Sequence, residues 1–348
     1  MDTVRIGEKG HSLIELVIAM LIFMIVSGAI WGLMRVAQQS RTAINQQVPL
    51  SKDARVALNI LGRDTFNAGF GYPLKSTVVL PDNRVSTLLG VPNDTDVLRD
   101  TVPPVIAGND ITLNTFNTTA GVRTDQVTFL FKDTTFNPVG VAPDQFSQSL
   151  NINAATTTGT GIDEIVPISG SNSSCRVNDI YLVTGNTGST LGLATGLSGA
   201  DRVQFSNGDL LGINLTGAGG SLIAITLPAS MQRVLMVTYF VTPDGTLTRR
   251  EFGNAPGTSA FVDEPLVYGV ENFQVQYVME NGSLTDNPSA GPDLVAGTGD
   301  DVLANLEAVR QIRFTISLRT NELDSRGQPS RVTMSSTFST RNLGYDAS

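Results

Sequence analysis

From Leu13 to Met34 the chain runs 22 residues, twelve of them Leu, Ile, Val or Phe, with Glu15 the only charge. A run of that length and composition spans a bilayer as a helix. Each of those apolar residues favours insertion by roughly 0.3 to 0.6 kcal/mol, whereas a mid-membrane carboxylate costs about 2.5 to 3.5 kcal/mol and less near an end, where Glu15 lies. The segment therefore inserts despite its acid. A cleaved secretory signal would have a shorter apolar stretch and an Ala-x-Ala site, for which Val26-Ser27-Gly28 is a poor substitute. Arg5 and Lys9 precede the span and Arg35 and Arg41 follow it, so counting basic residues does not decide its orientation.

After the span the pattern becomes amphipathic. Val36 to Gly69 is rich in Ala, Gln, Arg and Leu, with Val56, Ala57, Ile60, Leu61 and Asp64 at helical spacing, and it stops at Asn67-Ala68-Gly69. Pro49 removes one backbone donor and predicts a kink or local break near Gln46 to Leu50. Beyond Pro73 the apolar positions alternate. Strands are expected at Val127 to Phe131, Ile180 to Val183, Leu222 to Leu227 and Val234 to Val241, then at Leu247 to Phe252, Phe273 to Met279, Ile312 to Leu318 and Val332 to Phe338. Asp244-Gly245 sits between two of them and predicts a type I′ hairpin turn. The stretch from Asn151 to Gly220 is dense in Gly, Thr, Ser and Asn and reads as loops and short strands. The layout is α+β: a long N-terminal helix, transmembrane then amphipathic, followed by a mainly antiparallel β-rich head.

Composition narrows the function classes. With 348 residues, 41% hydrophobic, the chain has enough material for a substantial core. A net charge of −9 argues against a nucleic-acid binder, whose footprint is a basic face. A single cysteine, Cys175, rules out an intrachain disulfide and a multi-thiolate metal site, and reads as an inert buried thiol. The only histidine is His11, beside the span, so the head has no imidazole for a Ser-His-Asp arrangement or a zinc site. Gly185 to Thr190, GNTGST, lacks the lysine and spacing of a phosphate loop. Scattered carboxylates alone do not make a hydrolase, and no catalysis and no cofactor are expected. One loop, Thr285 to Val302, gathers Asp286, Asp293, Asp300 and Asp301 among glycines; it matches no EF-hand and reads as a solvated acidic loop, with calcium as the lesser alternative.

Lys9-Gly10-His11-Ser12-Leu13-Ile14-Glu15, directly before the span, resembles the processing site of type IV prepilins and type II secretion pseudopilins. The resemblance implies that a membrane aspartic peptidase cuts after Gly10 and methylates the new N-terminus at His11, where the family generally has Phe. It also implies that Glu15 is an assembly charge, pairing with the α-amine of a neighbouring subunit; the alternative is a carboxylate that snorkels to the interface of a plain anchor. Leu61 to Pro73, with its RD…AG pattern, is similar to the end of this helix in PilW-like minor pilins. So are VTYFVTPDGTLTRR, LVYGVENFQVQYV, VRQIRFTISLR and STRNLGY, in a group related to the J pseudopilin of type II secretion. The likeness covers 5–70 and 231–345 and nothing between. It implies a leader at 1–10, a transmembrane half-helix at 11–35, a stalk helix at 36–70 and a head at 71–348. The implied function is that of a minor pilin of a type IV pilus, assembling through its N-terminal helix and priming or capping the filament with its head at or near the tip. A J-like pseudopilin, and a membrane-anchored binding module that does not polymerise, are the alternatives. The implied partners are other minor and major pilins, the prepilin peptidase, the inner-membrane assembly platform and membrane lipid. The implied location is a single pass in the bacterial inner membrane with the head outside the cytoplasm, then the pilus or pseudopilus.

Overall fold

In the computed structural model the apolar block and the stalk form one helix, α1 (Leu13–Asn67). The structure describes residues 12–73, 78–91, 99–136, 149–153, 162, 165–215, 220–253, 259–288, 306, 308–323 and 327–343. The helix passes through Pro49 without a break. This differs from the local break that the proline suggests: only the bond to the Asn45 carbonyl is lost, and the head begins to support the helix at this level, where Leu50 packs against the core. The packed stripe is Ala54, Ala57, Leu58, Leu61, Gly62 and Thr65. It is rotated from the expected one, since Val56 is exposed and Ile60 half-buried. Ala54, Ala57 and Gly62 on this stripe let the helix approach a sheet closely.

After α1 come β1 (Val78–Leu80), α2 (Arg84–Leu89), β2 (Asp100–Thr101), β3 (Val105–Leu113) and β4 (Arg123–Lys132). The middle of the chain holds β5 (Leu150–Ile152), β6 (Ile165–Pro167), β7 (Ile180–Thr184), β8 (Ser189–Leu193), β9 (Gly196–Ser198) and β10 (Arg202–Gln204). The last part holds β11 (Ala229–Val241), β12 (Thr246–Phe252), β13 (Phe261–Tyr268), β14 (Val270–Met279), β15 (Leu284–Thr285), β16 (Val309–Leu323) and β17 (Pro329–Ser339). Pairing is antiparallel except between β1 and β8. A ten-stranded sheet centres on β11, whose first residues pair with β5 and β7 and whose later residues pair with β4 and β12. A four-stranded sheet has the order β15-β14-β16-β17, and β6-β10-β9 form a third, small one.

The main core lies where α1 meets both larger sheets. Phe129, Phe131, Val237 and Tyr239 face it from one sheet, and Phe273, Tyr277, Ile312 and Phe314 from the other. The opposite face of the ten-stranded sheet is covered as well, by a second cluster that includes Leu130, Met236, Leu182 and Leu191. That is why β4 is buried on both faces. A third cluster, around Tyr181, Phe205 and Leu222, holds the Gly- and Ser-rich middle of the chain and buries Cys175.

The strand beside α1 runs in the same direction as the helix. Ser330 Oγ donates to Gln46 Oε1 at 2.9 Å, the Phe338 ring lies over Gly62, and Asn342 Nδ2 donates to the Phe66 carbonyl at 2.9 Å. From 46 to 62 a helix rises about 24 Å, and from 330 to 338 a strand advances about 26 Å, so the two elements keep step.

Two local expectations are corrected. The β11–β12 hairpin exists, but Gly245 N–H bonds the Thr242 carbonyl, which makes Pro243 and Asp244 the central residues of the turn. Proline forces a negative φ there, and only Gly245, at φ +81°, takes the left-handed conformation. The connection therefore differs from type I′. Leu222 to Leu227 is not a strand: Leu222–Ala224 forms a 3-10 turn. Its polar groups go elsewhere, with Thr187 Oγ1 donating to the Ala224 carbonyl and accepting from Thr226 N–H, while Leu222 and Ile225 plug the third cluster.

Because a side chain at residue 62 would occupy the place of the Phe338 ring, Gly62→Leu is expected to destabilise the head by about 1–3 kcal/mol. Urea denaturation checks this, and Gly62→Leu combined with Phe338→Ala should recover part of the loss.

Candidate functional site: the assembly helix and its seat

Ser12 is extended, with φ −66° and ψ 140°, and caps the start of α1. Glu15 lies in the first turn, and its Oε2 accepts the Ser12 backbone N–H at 3.1 Å. An acid here satisfies a donor that the helix leaves unpaired and complements the positive end of the helix dipole. From Leu13 to Met34 the side chains are exposed, and an 18-residue window of the helix has mean hydropathy 2.7 with none of it buried inside the protein. So long an exposed apolar helix needs lipid or other helices around it. Gly10 and His11 lie outside the described residues.

Residues 5–31 match the prokaryotic N-terminal methylation motif. This motif marks type IV pilin-like proteins, and here it covers Gly10 and His11 and ends inside α1, within its long apolar half. No curated protein and no solved structure matches the chain. The motif and the exposed apolar helix fit a membrane-anchored pilin-like protein of structural type.

The other end of α1 carries a feature that the sequence only hinted at. Asp64 is 2% exposed, yet it is charged and sits on the packed side of the helix. Tyr239 Oη donates to its Oδ2 at 2.6 Å, and Arg249 Nε donates to the same oxygen at 3.0 Å. Arg63 Nε bonds Oδ1 at 3.2 Å. Arg249 in turn reaches Glu251 at 3.3 Å and Glu264 at 3.8 Å, so the helix is tied to β11, β12 and β13 at one point. Burial, with the Asp64 carboxylate beside it, pushes the Tyr239 phenol above its ordinary range. Burial works against the Arg249 charge, but Asp64 outweighs it and holds the guanidinium pKa above its usual value. The arrangement is a clasp between the helix and three strands. Only the RD…AG pattern signalled it, since nothing in sequence places Tyr239 and Arg249 beside residue 64.

The remaining candidates are scattered. Asp286 accepts from Gln276 Nε2 at 3.4 Å, while Asp293, Asp300 and Asp301 lie outside the described residues. Among the described residues no group of three or more His, Cys, Asp or Glu is placed to hold a metal ion. Cys175 is buried, and burial raises its thiol pKa.

Breaking the clasp from one side leaves a buried charge, so Arg249→Leu is expected to cost about 3–5 kcal/mol. Tyr239→Phe, which removes one bond to a carboxylate, should cost about 1.5–3 kcal/mol. Denaturant midpoints of the two variants check the order. Pro49 gives a second expectation: amides at Gln46 to Leu50 should exchange faster than those at Ala57 to Leu61, and equal protection of both would show that the missing bond has no local effect.

Proposed function

We propose that the chain is a PilW-like minor pilin of a type IV pilus. The observation that carries the reading is continuity: the methylation motif over residues 5–31 leads without interruption into a helix that is bare and apolar at one end and built into a β-rich head at the other. A filament subunit needs these two properties together, because the bare half must move from lipid into a bundle of like helices while the head stays folded. In this reading residues 1–10 are a leader, the peptidase cuts after Gly10, and His11 carries the methylated amine. Glu15, whose carboxylate lies in the first turn of α1, pairs in this reading with the amine of a neighbouring subunit. Other minor and major pilins, the assembly platform and lipid are the partners, and the head sits at or near the tip of the filament. The stretches around β11 to β17 that are similar to PilW-like pilins support this version over a plain anchor.

N-terminal mass spectrometry of membrane-extracted protein should find a chain beginning at His11 with a methylated amine, and Gly10→Ala should retain the leader. Glu15→Leu should insert and be cleaved, yet co-purify poorly with sheared pili, since a buried amine without its counter-charge costs about 3–5 kcal/mol. Recovery of only the Met1 form from cells with an active prepilin peptidase overturns the reading. Deleting the gene and finding lost protein secretion with normal piliation moves it to the type II secretion pseudopilin.

A further inference from the structure

A second buried carboxylate lies in the head, away from α1. Asp125 of β4 is 1% exposed and sits where the two larger sheets meet. Its Oδ1 accepts the Asp110 N–H at 3.0 Å and its Oδ2 accepts the Val275 N–H at 2.7 Å. One side chain thus ties together a bulge of β3, its own strand β4, and β14 of the other sheet. The bulge falls between Gly108 and Thr112, and Asp110 within it takes the left-handed φ of +51°. A non-glycine residue adopts that conformation at a cost, so the bond to Asp125 helps hold it.

The surroundings are unlike those of Asp64. Where Asp64 meets two guanidinium groups, the charged side chains that act on Asp125 are the carboxylates of Asp110 and Asp286. Tyr277, two residues along β14 from Val275, is buried and feels both Asp125 and Asp286. Its hydroxyl has no hydrogen-bond partner among the described residues. A buried charge facing like charges is a costly arrangement that one proton would relieve.

We propose that Asp125 is a protonation-sensitive clasp between the two sheets of the head, tighter when the carboxyl is neutral than when it is charged. The neutral group keeps an acceptor for both N–H donors and escapes the repulsion of Asp110 and Asp286. Burial, with that repulsion added, pushes the carboxyl up to about 6 against the two amide bonds that favour the anion. An unfolded aspartate titrates near 3.9, so the folded state binds the proton more tightly. The sign follows: the contribution to stability is fully present below about pH 4 and is lost as pH rises through about 6. From pH 7.5 to pH 5 this single group should tighten the joint about tenfold. The inference does not depend on whether the helix assembles into a pilus.

The test uses the full chain in detergent. Amide exchange over 105–113 and 270–279, corrected for the intrinsic pH dependence of exchange, should show an opening constant about tenfold smaller at pH 5 than at pH 7.5. Asp125→Asn should be flat across that range. Asp286→Asn, which leaves both N–H bonds intact, should move the midpoint to lower pH, and it decides the matter if Asp125→Asn does not fold. A flat wild-type profile, or an Asp286→Asn midpoint identical to that of wild type, overturns the proposal.

Discussion

The close seat of α1 against β17 sets the terms for the rest of the head. Ala54, Ala57 and Gly62 present so little side chain that the helix lies within ring contact of Phe338, and helix and strand stay in register from Gln46 to Phe66. With that seam closed, one continuous core forms from the inner faces of both larger sheets. Larger residues on the stripe would hold the helix away and leave the inner face of the four-stranded sheet without a cover. Dispersion falls off steeply with distance, so a small gap here forfeits much of the contact energy.

Three carboxylates show how surroundings divide one chemical group into different roles. Glu15 stands at the exposed start of α1, where it accepts the Ser12 N–H and faces the positive end of the helix dipole. Asp64 is buried but matched by Arg249, Arg63 and Tyr239, so its charge binds the helix to the head. Asp125 is buried among amides and other acids, and its charge works against the fold. A counter-charge within hydrogen-bond reach makes the difference between the last two. The first two suit a subunit whose helix is gripped firmly at one end and available to new partners at the other.

Much of the architecture could be read before any coordinates. Seven of the eight expected strand regions fall inside observed strands, in β4, β7, β11, β12, β14, β16 and β17. Alternation survives in β14 and β16, where one face is buried and the other more open, whereas β4 and β7 are buried on both faces and read as short continuous apolar runs. The omissions have local causes. β3 carries Gly108-Asn109-Asp110 in its centre, which reads as a turn and in fact forms a bulge. β13 carries Asp263, Glu264 and Pro265, residues that suit an edge strand and mask its pattern. Leu222 to Leu227 failed in the other direction: it is apolar enough for a strand, but the side chain of Thr187 takes up its backbone groups.

By itself the sequence determined the helix, its long apolar run, the motif that overlaps it and the alternating head, because each rests on the periodicity or order of neighbouring residues. Only the tertiary structure decided which face of the stalk is buried, that Pro49 leaves the helix unbroken, and that Asp64 and Asp125 are opposite in kind. Those outcomes depend on groups far away in the chain: Arg249 lies 185 residues from Asp64, and Val275 lies 150 from Asp125. Whether a buried charge stabilises or strains a fold is set by what stands within a few ångströms of it, and folding alone brings those groups together.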